Sequence, residues 1–73
     1  MKNSKVYKAL VENFPKLKKL KISPKDDLIE DLFLDSMEII GFLVVLEKKY
    51  KFDLKKYQNK YNKFLIKNLE KFI

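Results

Sequence analysis

The 73-residue chain contains no cysteine, no histidine and no arginine, a single glycine (Gly41) and two prolines (Pro15 and Pro24). Without cysteine there are no disulfides and no thiolate metal sites. Without histidine the commonest general base and metal ligand is missing, so self-contained catalysis is not expected. No apolar run approaches the roughly 20 residues needed to cross a bilayer. The start, Met1-Lys2-Asn3-Ser4-Lys5-Val6-Tyr7-Lys8, lacks the uninterrupted apolar segment of a signal peptide, and a cytoplasmic protein is expected. With no repeat and no low-complexity stretch, residues 1–73 read as one domain. A chain of this size buries only about 60% of its unfolded surface and is expected to be of modest stability.

Charge of one sign is also missing locally. Residues 26–47 hold seven acids (Asp26, Asp27, Glu30, Asp31, Asp35, Glu38 and Glu47) and no lysine. All 17 lysines lie outside that segment, where only three acids accompany them, so the net charge of +7 hides an acidic island of −7 in a basic protein. The lysine excess goes with frequent Asn, Ile, Phe and Tyr, a composition that an AT-rich genome alone produces.

The most informative stretch runs from Asp35 to Tyr50. Ser36 reads as the N-cap of a helix, its hydroxyl accepting from a free N–H of the first turn, and Glu38 puts a negative charge where the helix dipole favours one. Ile39, Phe42, Leu43, Leu46 and Tyr50 form one apolar stripe at helical spacing, which packs on a core. Met37, Ile40 and Val44 form a second stripe on roughly the opposite side, with Gly41 and Lys48 beside it. Two readings of that second stripe are open: the helix is central and buried all round, or the stripe is exposed and docks a partner.

Before this stretch, Val6, Tyr7, Leu10, Val11 and Phe14 give an amphipathic helix over residues 4–14, which Pro15 stops. Residues 15–27 make a long connection pinned by Leu17, Leu20 and Ile22. Asp27 then caps a short turn through Leu28, Ile29 and Leu32. After Tyr50 the run Lys51-Phe52-Asp53-Leu54 reads as a break. Tyr57, Tyr61, Phe64 and Leu65 suggest a brief helix, and Ile66, Leu69, Phe72 and Ile73 a final one. The expected interior is Val6, Leu10, Phe14, Phe42, Leu43, Leu46, Tyr50, Leu54, Leu65 and Leu69.

Asp35-Ser36-Met37-Glu38, preceded by Asp31-Leu32 and followed by Leu46-Glu47-Lys48-Lys49-Tyr50, closely resembles the Asp-Ser-Leu-acid motif and second helix of acyl carrier proteins. The long first connection and the closing Leu69-Glu70-Lys71-Phe72-Ile73 resemble that family as well, so the likeness covers nearly the whole chain. It implies an all-α, acyl-carrier-protein-like bundle of three main helices plus one short helix, a monomer and not an enzyme. It implies that a phosphopantetheinyl transferase attaches the 4′-phosphopantetheine arm of coenzyme A to Ser36. Asp35 and Met37 then form part of the cofactor-attachment site. The arm's thiol would hold acyl intermediates as thioesters for fatty-acid or related biosynthesis. Met37, Glu38, Ile40, Gly41, Val44, Glu47 and Lys48 would be read by acyl-loading and acyl-processing enzymes.

Several residues depart from the family pattern. Phe33 stands where the family usually has glycine, Gly41 where many members have glutamate, Lys55 where members commonly have a proline, and Lys48 and Lys49 reverse the usual acidic helix end. The chain is also basic where the family is usually acidic. These changes point to a dedicated partner rather than a general fatty-acid synthase.

Aminoacyl and D-alanyl carriers share the serine and are the first alternative. From the residues alone, an Asp-Ser opening a helix is often no more than a cap. The lysine-rich helices with Tyr7, Tyr57 and Tyr61 offer a nucleic-acid-binding alternative through phosphate contacts, although no recognised nucleic-acid motif accompanies them. A protein-interaction module without a prosthetic group is the third.

Overall fold

The computed structural model describes residues 4–73. The chain folds as an all-α bundle of α1 (Lys5–Asn13), α2 (Ser36–Tyr50), α3 (Leu54–Lys60) and α4 (Ile66–Glu70), with a 3-10 helix over Pro15–Lys19. Among the described residues there is no strand, only an isolated antiparallel bridge between Asp27 and Leu65. No helix among them is long and apolar enough to cross a membrane.

Helix α1 packs against the 3-10 helix, α2 and α4. Its apolar face delivers Val6, Ala9 and Leu10 to the core. All four N–H groups of its first turn are satisfied: those of Lys5 and Val6 donate to the Glu70 carboxylate at 2.6 and 3.2 Å, that of Tyr7 to Ser4 Oγ at 3.0 Å, and that of Lys8 to the Ser4 carbonyl. Glu70 comes from the end of α4, so the capping of the first helix depends on the last one being in place.

The long connection is anchored by hydrogen bonds as well as by apolar side chains. Leu17 is buried, but Leu20 is exposed and Ile22 only half-buried, so of the three expected anchors one carries the burial. The remainder is tied to the start of α4 and the residues just ahead of it, where Leu28 N–H reaches the Phe64 carbonyl, Ile66 N–H that of Asp26 and Lys67 N–H that of Pro24. The expected Asp27 turn is present, with the Asp27 carboxylate accepting from Ile29 N–H at 2.9 Å.

Six of the ten expected core residues (Val6, Leu10, Phe42, Leu43, Leu46 and Leu69) are buried. Phe14, Tyr50, Leu54 and Leu65 are only half-buried, because they sit at element ends where the bundle thins. The interior instead recruits Leu28, Leu32, Leu34, Phe52, Tyr57 and Ile66. Tyr57, on α3 rather than on a helix extending to Leu65, is the hub of an aromatic cluster. It stacks on Phe64 with ring centroids 5.6 Å apart and meets Phe72 edge-on at 5.3 Å, with Phe52 and Tyr61 also in contact. Its hydroxyl donates to the Lys63 carbonyl.

Among the described residues, two adopt left-handed backbone where a side chain is disfavoured. Lys51 (φ 58) ends α2 in place of the usual glycine, and Phe33 (φ 57) turns the chain between the buried Leu32 and Leu34. For a residue other than glycine each costs about 1 kcal/mol.

Two expectations follow. Glu70→Ala should lower unfolding stability by about 1–2 kcal/mol in urea titration, because it orphans two N–H groups at a distance of more than sixty residues along the chain. Burial pushes the Tyr57 phenol from its ordinary 10.0 up to about 12. The folded state therefore holds this proton more tightly than the unfolded chain. Its stabilising effect is complete below pH 10 and is lost between pH 10 and about 12. Chemical denaturation across that window should show a fall in stability that Tyr57→Phe removes.

Candidate functional site

Ser36 was expected to cap α2; the structure gives that role to Asp35. The Asp35 carboxylate accepts from Glu38 N–H at 2.8 Å, and the Glu38 carboxylate accepts from Asp35 N–H at 3.0 Å, a reciprocal capping box. Both arrangements suit the sequence Asp-Ser-x-Glu. A carboxylate one residue upstream wins because its second partner, an acid at the third helical position, reaches back only to the residue in the Asp35 place. Ser36 becomes the first helical residue, exposed, with a hydroxyl that takes no part in the cap.

Lys16 Nζ, on the 3-10 helix, sits 3.1 Å from Glu38 Oε2. The Asp35 N–H first, and the Lys16 ammonium second, hold the Glu38 carboxyl below the usual carboxylate range. A lowered pKa is the wrong direction for a general base near neutrality. The Asp35 carboxylate is likewise engaged with backbone. Among the described residues no group of three or more His, Cys, Asp or Glu could hold a metal ion.

The outer face of α2 resolves the two readings of its second stripe. Met37 is 77% exposed, Ile40 59% and Val44 39%, whereas Ile39, Phe42, Leu43 and Leu46 are buried. Glu47, Lys48 and Gly41 are exposed and Glu38 is half-exposed. The residues expected from the resemblance to form a partner surface thus share one solvent-facing side, and the apolar strip begins at the residue after Ser36. Outside that set, Phe33, three positions before Ser36 in the chain, is also 80% exposed. Its departure from an otherwise apolar-in turn was visible in the sequence only as an odd residue where glycine was expected.

A shallow concavity lies at the far end of α2, lined by Glu47, Phe52, Asp53, Leu54, Lys55 and Gln58. It is away from Ser36 in the chain and brings together no reactive groups. Tyr57, one of the three tyrosines in the nucleic-acid alternative, is wholly buried and offers no stacking face to a base, and Tyr7 and Tyr61 are half-buried.

No family model, no curated protein and no solved structure matches this chain.

The assignment of the cap separates two neighbouring substitutions. Asp35→Ala should cost about 1 kcal/mol of stability, whereas Ser36→Ala should change it by less than about 0.5 kcal/mol. Urea denaturation of both variants at pH 7 checks this. The part contributed by Glu38 should be complete above its unfolded value of 4.5 and fade as pH falls through its lowered folded value.

Proposed function

We propose that the chain is an acyl carrier protein, with a 4′-phosphopantetheine arm esterified to Ser36. The observation that carries the reading is the position of that hydroxyl: exposed, at the first residue of the central helix, free of the capping box that surrounds it. A serine held in a cap would have to break that cap to be modified, and this one does not. When bound, the arm supplies a terminal thiol that carries an acyl group as a thioester.

The chain's own residues fit such a group. Asp35 takes the Glu38 N–H, so the two N–H groups ahead of it, those of Ser36 and Met37, remain at the open end of the helix. Free N–H groups and the helix dipole stabilise an anion there, which suits a phosphodiester. Asp35 and Glu38 oppose it by like-charge repulsion, and Lys16 beside Glu38 reduces that repulsion. Ser36 itself has no base within its motif to make it a nucleophile, since both nearby carboxylates hold backbone N–H groups. Receiving a group is the chemistry these residues support.

The strip Met37, Ile40 and Val44, with Gly41, Glu47 and Lys48, would be the surface that the transferase and the loading and processing enzymes contact. Apolar contacts supply affinity there while the acids orient the encounter. An aminoacyl or D-alanyl carrier would use the same serine and the same face.

The test is intact mass after incubation of the apo-protein with coenzyme A, Mg²⁺ and a broad-specificity phosphopantetheinyl transferase. A gain of one phosphopantetheine in the parent and none in Ser36→Ala is expected. No gain in folded parent, alongside a known carrier that is modified, would sink the reading and bring forward the interaction-module and nucleic-acid alternatives.

A further inference from the structure

Among the described residues six large apolar side chains are exposed, and they divide unevenly between the two charge territories of the chain. Ile29, Phe33, Met37, Ile40 and Val44 lie in the lysine-free segment 26–47. Leu20, 47% exposed, alone lies among lysines. It caps the C-terminal end of the 3-10 helix, in the run Pro15-Lys16-Leu17-Lys18-Lys19-Leu20-Lys21. Residues 15–25 hold five lysines, all exposed, and no acid. These side chains are brought together by the backbone itself, since they follow one another along it. Leu17 is buried and fastens the turn to the core, Leu20 N–H donates to the Leu17 carbonyl at 3.1 Å, and Pro15 sets the start of the turn. Leu20 is therefore presented on a turn that is already formed, and ordering it again on a partner costs little entropy.

Not all five lysines are available to a partner. Lys16 pairs with Glu38, and Lys25 precedes Asp26, whose carboxylate turns back onto Ser23 N–H. Lys18, Lys19 and Lys21 are in no ion pair among the described residues. We infer that this connection is a membrane-surface anchor: Leu20 enters the acyl boundary of an anionic bilayer while the ammonium groups of Lys18, Lys19 and Lys21 stay at the level of the lipid phosphates. Lysine suits the flanks of such a leucine, because its stem lies along apolar surface while its head remains in water. Each lysine close to an anionic leaflet strengthens binding roughly fivefold, so three give roughly a hundredfold preference for anionic over neutral lipid. One signal alone gives marginal attachment, and a charge cluster with an apolar insertion supplies two. Nucleic acid fits this surface less well, since residues 15–25 hold no aromatic ring on which a base could stack and the exposed leucine has no use in a phosphate contact. The lysine-rich stretch around α3 lacks the apolar signal, because Phe52 and Tyr57 are buried there. The inference goes beyond the carrier reading and makes no use of Ser36.

The test is co-sedimentation of the full chain with vesicles of phosphatidylcholine alone and with vesicles in which a third of the lipid is phosphatidylserine. Binding to the phosphatidylserine vesicles is expected at millimolar lipid, at least tenfold tighter than to phosphatidylcholine alone. It should be lost as salt rises from about 0.1 to about 1 M and the screening length falls from about 10 to about 3 Å. Lys18→Gln, Lys19→Gln and Lys21→Gln combined should weaken binding at least tenfold, and Leu20→Ser, which keeps every charge, severalfold. All four side chains are exposed, so both variants should keep the parental Tm. Lys55→Gln with Lys56→Gln removes charge elsewhere and should change binding less than twofold. The chain has no tryptophan, so Leu20→Trp adds a single reporter whose emission should shift to the blue on the phosphatidylserine vesicles. No binding to those vesicles, equal binding to both kinds, as large a loss in the α3 variant as in the triple variant, or bound Leu20→Trp with unshifted emission would each overturn the inference. So would tighter binding to single-stranded DNA than to the vesicles, lost in the triple variant, since the lysines would then serve a phosphate chain and not a bilayer. Ser36→Ala should bind the vesicles as the parent does, so this test and the mass experiment fail separately.

Discussion

Carboxylates accepting backbone N–H groups are the interaction on which this fold depends. Seven of the ten acids are used this way: Asp26, Asp27, Asp31, Asp35, Glu38, Asp53 and Glu70. The need arises from the architecture. A bundle of short helices, with about twenty residues between α1 and α2 and only five of them in a 3-10 helix, leaves many N–H groups without a helical partner. Sheet ladders are absent among the described residues, so side chains must supply the acceptors. A carboxylate makes a stronger hydrogen bond than a neutral oxygen, and near a helix start it also meets the positive end of the dipole. The acidic island is thus first a structural device: five of its seven acids hold the backbone of the connection or the mouth of α2, and only Glu30 and Glu47 hold none.

Glu38 shows how closely structure and surface are joined. Its carboxylate closes the capping box, is paired with Lys16 and stands at the rim of the exposed strip. The pair ties the 3-10 helix to the start of α2, so the position of Ser36 is fixed from both the helix and the connection. Glu70 does the corresponding work at the other end of the fold by joining the last helix to the first. As a surface ion pair, Lys16–Glu38 has little energy of its own. The effect of Glu38 and Glu70 comes from satisfying N–H groups that would otherwise lack a partner.

The helices were legible because their apolar periodicity is strong: residues 4–14 and 36–50 emerged from spacing alone, and so did the inward stripe of α2. The cap was misplaced by one residue because serine and aspartate are both good caps and stand side by side, and only the reach of Glu38 decides between them. Phe52, Tyr57 and Ile66 were missed as core because their burial is created by neighbours distant in sequence, with Tyr57 drawing Phe64 and Phe72 onto a seven-residue helix too short to show a stripe. The end of α2 carries no glycine because Lys51 accepts the left-handed conformation, and a strained residue leaves no trace in composition. At the site, Ser36 and its neighbours were legible as a motif, while the exposure of Met37, Ile40 and Val44 required knowing that the other helices pack on the far side.

The charge segregation acquires its meaning from distance. At physiological ionic strength the screening length is about 8 Å, whereas the molecule measures 31 × 23 × 22 Å. On the proposed reading, a partner at α2 would respond to the charges within that length, Lys16 and Lys48 included, and only weakly to lysines farther off. A net charge of +7 does not prevent this surface from attracting a basic one. On the proposed reading it would penalise approach of a basic partner from the lysine-rich sides. Orientation, more than affinity, is what an acidic island in a basic protein provides.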